Sequence, residues 1–152
     1  MIVVKSIKPS DDLTQLVNEI NNASWDMSNE ISEYDAESLF AYLERQDTLF
    51  VTCHNVCPEK TCLLGMASAR FEMKPYKKEF WLYVDEVDVC ADKRRKGVGK
   101  TIMNHLIELA FKKGCEEVWL GTELENIPAN ALYKSLNPDD ITQVVGYSYE
   151  TD

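Results

Sequence analysis

The chain has 152 residues, a formal net charge of −10 at pH 7, 45% hydrophobic residues and 28% charged residues. A chain of this length and composition is expected to fold as one globular domain, residues 1–152, with a sizeable core. The negative charge argues against nucleic acid as a partner, because phosphate neutralisation needs a broad basic surface. It favours a small cationic partner, or else serves only to keep the protein soluble.

No apolar run approaches the ~20 residues that a membrane span needs. The apolar part of the N-terminal run Met1–Lys5 is too short for a signal peptide. The five cysteines are an odd number, which is consistent with reduced thiols. These features predict a cytoplasmic protein with no membrane partner.

Three of the cysteines, Cys53, Cys57 and Cys62, lie close together in the sequence with His54 among them. A zinc site needs pairs of ligands at closer, repeated spacing. Adjacent residues such as Cys53 and His54 would also point to opposite faces of a strand. We therefore expect thiols that pack as small hydrophobic side chains, and no metal site.

The first half of the chain is predicted to form a strand, two helices and two strands. Ser10 is the expected N-cap of the first helix. The second helix is expected to turn Leu39, Phe40 and Leu43 inward. The predicted elements are a strand at Ile2–Ile7, a helix that ends at Asn21–Asn22, a helix at Asp35–Arg45, and strands at Thr48–His54 and Cys62–Phe71, the last with Gly65 as a bulge signal.

The second half alternates strands and helices, which completes the order β-α-α-β-β-β-α-β-α-β. The apolar stripe of its first helix ends at Gly114, a typical C-terminal stop. The predicted elements are strands at Phe80–Cys90, Glu117–Gly121 and Ile141–Tyr149, and helices at Lys100–Phe111 and Pro128–Leu136. This order predicts an α/β fold, a mixed sheet with helices on its faces and at least one parallel crossover.

A basic turn that contains two glycines, Arg94 to Lys100, joins the long strand to its following helix. The first N–H groups of a helix lack intrahelical partners, and the helix dipole adds positive potential there. Glycines let the backbone approach a phosphate closely, and the cationic side chains add charge. The turn therefore predicts a binding site for a phosphorylated cofactor, the alternative being a helix start that happens to be basic.

Two common phosphate-binding patterns do not fit this turn. A dinucleotide-binding loop needs Gly-x-Gly-x-x-Gly, and Ile102 stands at the third glycine position. A Walker loop ends in Gly-Lys-Thr, as Gly99-Lys100-Thr101 does, but its first glycine is replaced by Arg94.

A third pattern, Arg/Gln-x-x-Gly-x-Gly/Ala, fits at every position, with Arg94, Gly97 and Gly99. Downstream, Asn126-Ile127-Pro128-Ala129-Asn130-Ala131-Leu132-Tyr133 fits Asn-x-x-Ala-x-x-Leu-Tyr. Over about Trp81 to Leu136 the chain thus resembles the GNAT superfamily of N-acetyltransferases. Within it, the run Tyr83–Val89 and the acidic segment before Pro128 look like the aminoglycoside 3-N-acetyltransferases.

The match departs from the family after Tyr133, where members usually continue Lys-x-Gly-Phe. Here Leu136 and Asn137 follow Lys134 and Ser135. Asn137 can still adopt the left-handed conformation that glycine normally provides at a helix end. The departure therefore bears on the local turn and not on the fold.

The resemblance implies the GNAT fold and acetyl-CoA as the cofactor. Coenzyme A would lie along the strand that ends at Val89 and pair with its backbone as an added strand does. The Val87 N–H would be the oxyanion donor, the basic turn would hold the pyrophosphate, and Asn126 would bond the pantetheine arm. The cofactor-binding residues that it implies are Val87, Asp88, Val89, Arg94, Arg95, Lys96, Gly97, Val98, Gly99, Lys100 and Asn126.

Acetyl transfer to an amine needs an acid for the leaving thiolate and a base for the amine. Tyr133 fits the acid, because an unperturbed tyrosine pKa of about 10 lies close to that of a thiol; the alternative is a core tyrosine. Alternation along the strand places Glu86 and Asp88 on one face and Asp85 on the other with the valines, unless a bulge intervenes. Glu86 is our candidate base, directly or through a water, the alternative being a solvated or cation-binding carboxylate.

Acidic residues near the thioester suit a polycationic amine, and Asp88, Glu123 and Trp25 are the candidate substrate-binding residues. Trp25 could instead anchor packing. The resemblance predicts transfer of acetyl from acetyl-CoA to a primary amine, by direct attack, on an aminoglycoside-like or polyamine substrate. The aminoglycoside alternative would imply antibiotic resistance. Acetylation of a protein amine, and a non-catalytic acyl-CoA-binding module, remain alternatives, and the exposed final strands could pair in a homodimer.

Overall fold

The computed structural model describes residues 1–25, 31–93 and 97–152. Of the predicted site, Arg94, Arg95 and Lys96 therefore lie outside the described residues. The chain divides into two compact units, residues 1–120 and 121–152, so the single domain stays a prediction. The elements are β1 (Ile2–Ser6), α1 (Leu13–Asn22), α2 (Ala36–Glu44), β2 (Thr48–Val56), β3 (Thr61–Met73), β4 (Phe80–Val89), α3 (Val98–Lys112), β5 (Glu117–Trp119) and α4 (Ile127–Ser135).

The first unit is built on a five-stranded sheet with the strand order β1-β2-β3-β4-β5. The first four strands are antiparallel, whereas β5 runs parallel to β4 after the crossover through α3. This arrangement confirms the predicted mixed sheet with a parallel crossover at the glycine turn. β5 ends at Trp119, two residues before the predicted end at Gly121.

Helices cover both faces of the sheet. On one face, α1 and α2 pack with Phe50 and Met66 in a buried cluster. On the opposite face, α3 lies so close that a Cβ on Gly65 would come within 3.0 Å of the Ile102 side chain and 3.2 Å of the Val98 side chain. β3 carries one extra residue beside Gly65 in its pairing with β2, which confirms the bulge signal there.

Two predicted details of the first helices are wrong. The N-cap of α1 is Asp12 and not Ser10, because the Asp12 carboxylate accepts the Gln15 N–H at 3.1 Å. Phe40 is exposed. In α2 the buried residue is Leu39, and Ala36, Tyr42 and Leu43 share its side at helical spacing, which turns Phe40 to the solvent.

Tyr42 ties α2 to the sheet through its hydroxyl group. The Tyr42 Oη lies 3.0 Å from the Ala69 carbonyl oxygen and 3.2 Å from that of Leu49, so its single proton can be donated to either strand. Burial is the main reason that the pKa of Tyr42 is raised to about 12. The hydroxyl therefore stays a donor at all physiological pH values.

We expect Tyr42→Phe to lower the free energy of unfolding by about 1 kcal/mol at pH 7, the usual net value of one such hydrogen bond. A raised folded-state pKa contributes stability that is present below the unfolded value of about 10 and is lost as the pH rises through about 12. The difference between wild type and variant should therefore shrink from pH 10 upward in urea unfolding. Tyr76→Phe, at an exposed site, is the control and should show neither effect.

The second unit, residues 121–152, holds α4 and a segment without regular structure. Asn137 follows α4 with φ 55°, which confirms the predicted left-handed residue. The predicted strand Ile141–Tyr149 is wrong: no residue of it is in a strand, and its large apolar side chains are exposed. A strand needs a partner for its backbone groups, and this unit contains no other strand.

Candidate functional site

The edge of β4 that faces β5 is open over most of its length. The parallel pairing joins only Trp81, Leu82 and Tyr83 to Glu117–Trp119. Beyond Tyr83, no described strand pairs with this edge up to Val89. Backbone N–H and C=O groups on an open edge can pair with an extended ligand as with another strand.

The backbone groups that point to this open edge belong to Val87 and Val89. The Cys90 N–H donates to the Leu64 carbonyl at 2.9 Å, so Cys90 is turned toward β3. The next residue, Ala91, points the other way and donates to the Ser24 carbonyl at 2.7 Å. Because N–H groups alternate along a strand, Val87 and Val89 share the side of Ala91.

A bulge at Asp85 sets the faces of β4. Val84 lies opposite Ala69, and Glu86 lies opposite Ser68, which leaves Asp85 as an extra residue. Glu86 and Asp88 therefore face the side of α1 and α2, while Val84, Val87 and Val89 share the α3 side with Gly65. The prediction that Glu86 and Asp88 share a face is confirmed. Because Asp85 is an extra residue, Val84 before the bulge and Val87 and Val89 after it all face α3.

The predicted placement of Asp85 beside the valines is wrong. Its carboxylate accepts hydrogen bonds from the Arg70 Nε at 3.1 and 3.0 Å. The Arg70 guanidinium also lies over the ring of Tyr83, which is the residue opposite Arg70 in the pairing of β3 with β4. The physical reason is the bulge, because an extra residue interrupts the strict alternation on which the prediction depended.

The three carboxylates on β4 thus have different surroundings. Asp85 is held by Arg70. Asp88 is buried, with 6% of its surface exposed. Glu86 is exposed and makes no hydrogen bond or ion pair within the described residues. Glu86 is therefore the carboxylate that can exchange a proton with a ligand or with water.

The start of α3 has a geometry suited to an anion. Its N-cap is Gly97 with φ 78°, a left-handed conformation that glycine adopts without strain. Gly97 has no side chain that could cap the helix, so within the described residues the first N–H groups have no side-chain partner. Val98 and Gly99 are buried, whereas Lys100 in the same first turn is exposed.

In the second unit, Asn126 is the N-cap of α4. Its Oδ1 accepts the Ala129 N–H at 3.2 Å, so the side-chain NH₂ is the part left to bond a ligand. Tyr133 lies half-buried on α4, and Glu123 is exposed just before the helix. The Glu123 carbonyl accepts the Asn130 Nδ2 at 2.9 Å, which ties the segment before the helix to its first turn.

Residues 11–137 match the model of the Acetyltransferase (GNAT) family, which is most of the chain. The chain belongs to this family. The mixed sheet, the open β4 edge and the glycine at the start of α3 can therefore be described as parts of a GNAT domain. The resemblance that the two motifs carry in the sequence is confirmed.

Two curated relatives show how the similarity is distributed. Thialysine N-epsilon-acetyltransferase of Bos taurus is 29% identical over 90 residues, 59% of this chain and 52% of that protein. The [ribosomal protein bS18]-alanine N-acetyltransferase of Escherichia coli K12 is 35% identical over 66 residues, 43% of this chain and 45% of that protein. The chain thus spans about half the length of the curated relatives that it matches.

A solved structure shows the fold. The crystal structure of an aminoglycoside acetyltransferase from an uncultured soil metagenomic sample, in complex with sisomicin, has a TM-score of 0.82. It is 18% identical, and the comparison covers 99% of this chain and 97% of that one. Similarity at this level of identity establishes the GNAT fold of the chain.

Tyr34 is a residue of the GNAT domain that sequence reasoning missed. Its backbone is fixed by Asn21, whose side chain accepts the Tyr34 N–H at 2.9 Å and donates to its carbonyl at 2.8 Å. Burial, and then the charges of Glu86 and Asp88, raise the pKa of Tyr34 to about 12. The Tyr34 ring packs against Phe50 on the sheet face that carries both carboxylates, and its hydroxyl stays neutral. No motif in the sequence could have indicated this, because the loop is brought to the sheet by tertiary packing.

Trp25 has a structural role in the GNAT domain. Its Nε1 donates to the Ile20 carbonyl at 2.8 Å, and its ring packs against the cluster under α1 and α2. Its backbone forms a bridge with Cys90, beside the end of the open edge. The packing alternative is thus supported, and contact with an acceptor stays a prediction.

No group of three potential ligands capable of holding a metal occurs among the described residues. Cys53 is buried and Cys57 is exposed. Burial raises the pKa of the Cys53 thiol, as expected for a side chain that packs as an apolar group. In the described part of the chain, no helix is long and apolar enough to cross a membrane.

Proposed function

We propose that this protein transfers the acetyl group of acetyl-CoA to a primary amine of a small cationic acceptor, by direct attack. The observation that carries the proposal is the open edge of β4, with Val87 and Val89 turned outward and the strand leading on toward the uncapped start of α3. Family membership supports it, since the relatives named above are all N- or aminoglycoside acetyltransferases.

The residues present fit coenzyme A. The backbone of Val87 and Val89 offers the strand-like pairing that pantetheine amides need. Gly97, Val98, Gly99 and Lys100 offer N–H groups to a pyrophosphate, and Arg94, Arg95 and Lys96 would add charge. Asn126 would donate through its NH₂. When bound, acetyl-CoA supplies the reactive thioester.

Glu86 is proposed as the general base. It is exposed and makes no hydrogen bond or ion pair within the described residues, and it faces the side of the sheet on which Tyr34 packs. The acceptor ammonium must lose a proton before it can attack, and Glu86 takes that proton directly or through a water. The Val87 N–H would donate a hydrogen bond to the thioester carbonyl oxygen, where negative charge would develop.

Tyr133 is proposed as the acid that protonates the leaving thiolate. We expect Tyr133→Phe to lower kcat at least roughly tenfold, because a positioned acid typically contributes on the order of 10²- to 10⁴-fold. The KM for acetyl-CoA should change little, because the ring is kept. Steady-state thiol release measures both values. Unchanged turnover would remove Tyr133 from the mechanism.

The acceptor class is proposed from charge. Glu86 is exposed on the sheet face that also carries the buried Asp88, and Glu123 is a further candidate. The net charge of −10 raises the local concentration of cations. Aminoglycosides and polyamines are both multiply charged amines. Acetylation of a protein amine is the second candidate function, because one relative is named as an acetyltransferase of a ribosomal protein.

The test is a thiol-release assay with acetyl-CoA against aminoglycosides, polyamines and peptides with a free N-terminus or lysine. Turnover confined to the small polycations supports the proposal. Turnover confined to peptides supports the second candidate. Binding of acetyl-CoA in calorimetry with no thiol release on any acceptor would instead indicate a non-catalytic binding module.

A further inference from the structure

Three aromatic rings form a row on the sheet face that carries Glu86. The rings of Trp81 and Tyr83 on β4 are stacked, with centroids 5.9 Å apart and an interplanar angle of 25°. The ring of Trp119 on β5 lies 5.8 Å from that of Tyr83. Each is only half-buried, so part of this aromatic row is open to a ligand.

The ammonium group of Lys74 already lies on the aromatic row. Its Nζ is 4.0 Å from the centroid of the Trp81 ring and 4.9 Å from that of Tyr83, and it donates a hydrogen bond to the Tyr83 Oη. Within the described residues, no carboxylate forms an ion pair with Lys74. Ring faces and a phenol oxygen therefore hold this cation, which is how proteins recognise ammonium ligands.

The rings are held in place by contacts that do not involve Lys74. The Trp81 Nε1 donates to Glu79 Oε1 at 3.1 Å. Arg70, bound to Asp85, lies 5.4 Å from the Tyr83 ring. The Lys74 backbone is fixed by its N–H, which donates to the Glu79 carbonyl at 2.9 Å, so only its flexible side chain needs to move to vacate the rings.

We propose that the faces of Trp81 and Tyr83 are an ammonium-binding subsite, which Lys74 fills until a second ammonium group of a polyamine-type acceptor displaces it. Tyr83 and Glu86 lie opposite Arg70 and Ser68, which are two residues apart on β3. The two positions are therefore roughly 7 Å apart, and Trp81 lies about 7 Å further on. A linear polyamine can span them, with one amine at Glu86 and another on the rings.

The inference that the rings bind an ammonium group depends on the geometry alone. The further inference that this ammonium group belongs to the acetyl acceptor rests on the proposed function. The probe that separates them is tetramethylammonium, which has no N–H and cannot be acetylated. The chain has three tryptophans, whose indole N–H signals can be followed by NMR. Titration should move the signals of Trp81 and Trp119 and leave that of Trp25 unchanged, with sodium chloride of equal ionic strength as the blank.

Lys74→Met removes the internal competitor and should tighten tetramethylammonium binding about two- to fivefold, the equivalent of one half-exposed cation–π contact. Lys78→Met, at an exposed lysine of the same turn, changes the net charge equally and should leave the affinity unchanged. The absence of a Trp81 shift in both wild type and Lys74→Met would overturn the subsite. Equal tightening in the two variants would show that net charge, and not the rings, is responsible.

The role of the subsite in binding the acetyl acceptor is tested by steady-state kinetics. Lys74→Met should lower the KM for a linear polyamine about two- to fivefold and leave that for a monoamine of similar length unchanged. Equal KM changes for the two amines would overturn the polyamine role. If tetramethylammonium binds but no amine is acetylated, the ammonium subsite stands and the proposed acetyl transfer fails.

Discussion

Replacement of Glu86 by glutamine is expected to lower kcat/KM by about a hundredfold, the lower range of what a positioned general base contributes. Glutamine keeps the size of the side chain but cannot accept the proton of the acceptor ammonium. The rising limb of the pH–rate profile should then move toward the pKa of the free acceptor amine, because only amine that is already neutral can react. The measurement is kcat/KM by thiol release across the pH range.

Asp85→Asn is the matched control for this experiment. Asp85 is the neighbouring carboxylate on the same strand, but Arg70 holds it through hydrogen bonds at 3.1 and 3.0 Å. It should therefore have little influence on the pH at which the rate rises. A Glu86→Gln enzyme with the wild-type profile would exclude Glu86 as the base, and a changed profile in Asp85→Asn alone would transfer the role to Asp85.

Substitution of Gly65 by alanine is expected to lower the free energy of unfolding by roughly 1 to 3 kcal/mol, the usual cost of adding a methyl group to a filled core. The new Cβ would stand 2.8 Å from the Asp88 carbonyl oxygen and 3.0 Å from the Ile102 side chain. The carbonyl belongs to the backbone, so it cannot turn aside as a side chain can. Relief requires β4 or α3 to move.

Because that movement would reach Val87 and Val89, Gly65→Ala should also raise the KM for acetyl-CoA. Chemical unfolding and steady-state kinetics test the two effects separately. Gly146→Ala is the control, since no atom lies within 4 Å of its added Cβ, and it should leave both values unchanged. Wild-type stability in Gly65→Ala would contradict the close contact between α3 and the sheet.

Features set by local backbone chemistry could be predicted from the sequence. The glycine turn before α3, the end of that helix at Gly114 and the left-handed Asn137 after α4 all depend on a few neighbouring residues. The two motifs that led to the GNAT family are of the same kind. They place a glycine where the backbone must turn and an asparagine where a helix must begin.

Features that depend on a partner strand or a packed helix could not be predicted. The face of Asp85 was predicted wrongly because nothing local to β4 shows an extra residue relative to β3. Phe40 and Leu39 are adjacent apolar residues on α2, and only the contacts of α2 with the sheet decide which is buried. Ile141–Tyr149 has the composition of a strand but lacks a strand to pair with in its unit.

By itself, therefore, the sequence determined the family, the order of most elements and a helix start suited to a pyrophosphate. Only the tertiary structure decided which carboxylate on β4 is held by an arginine and which is exposed. It also decided which backbone groups face the open edge and which cation lies on the aromatic row. The physical reason is the distance along the chain between the residues that determine each feature. Turns and caps are satisfied by groups within one helical turn. Glu86 and Val87 acquire their surroundings from strands more distant in the chain, and Lys74 from the strand that follows its turn.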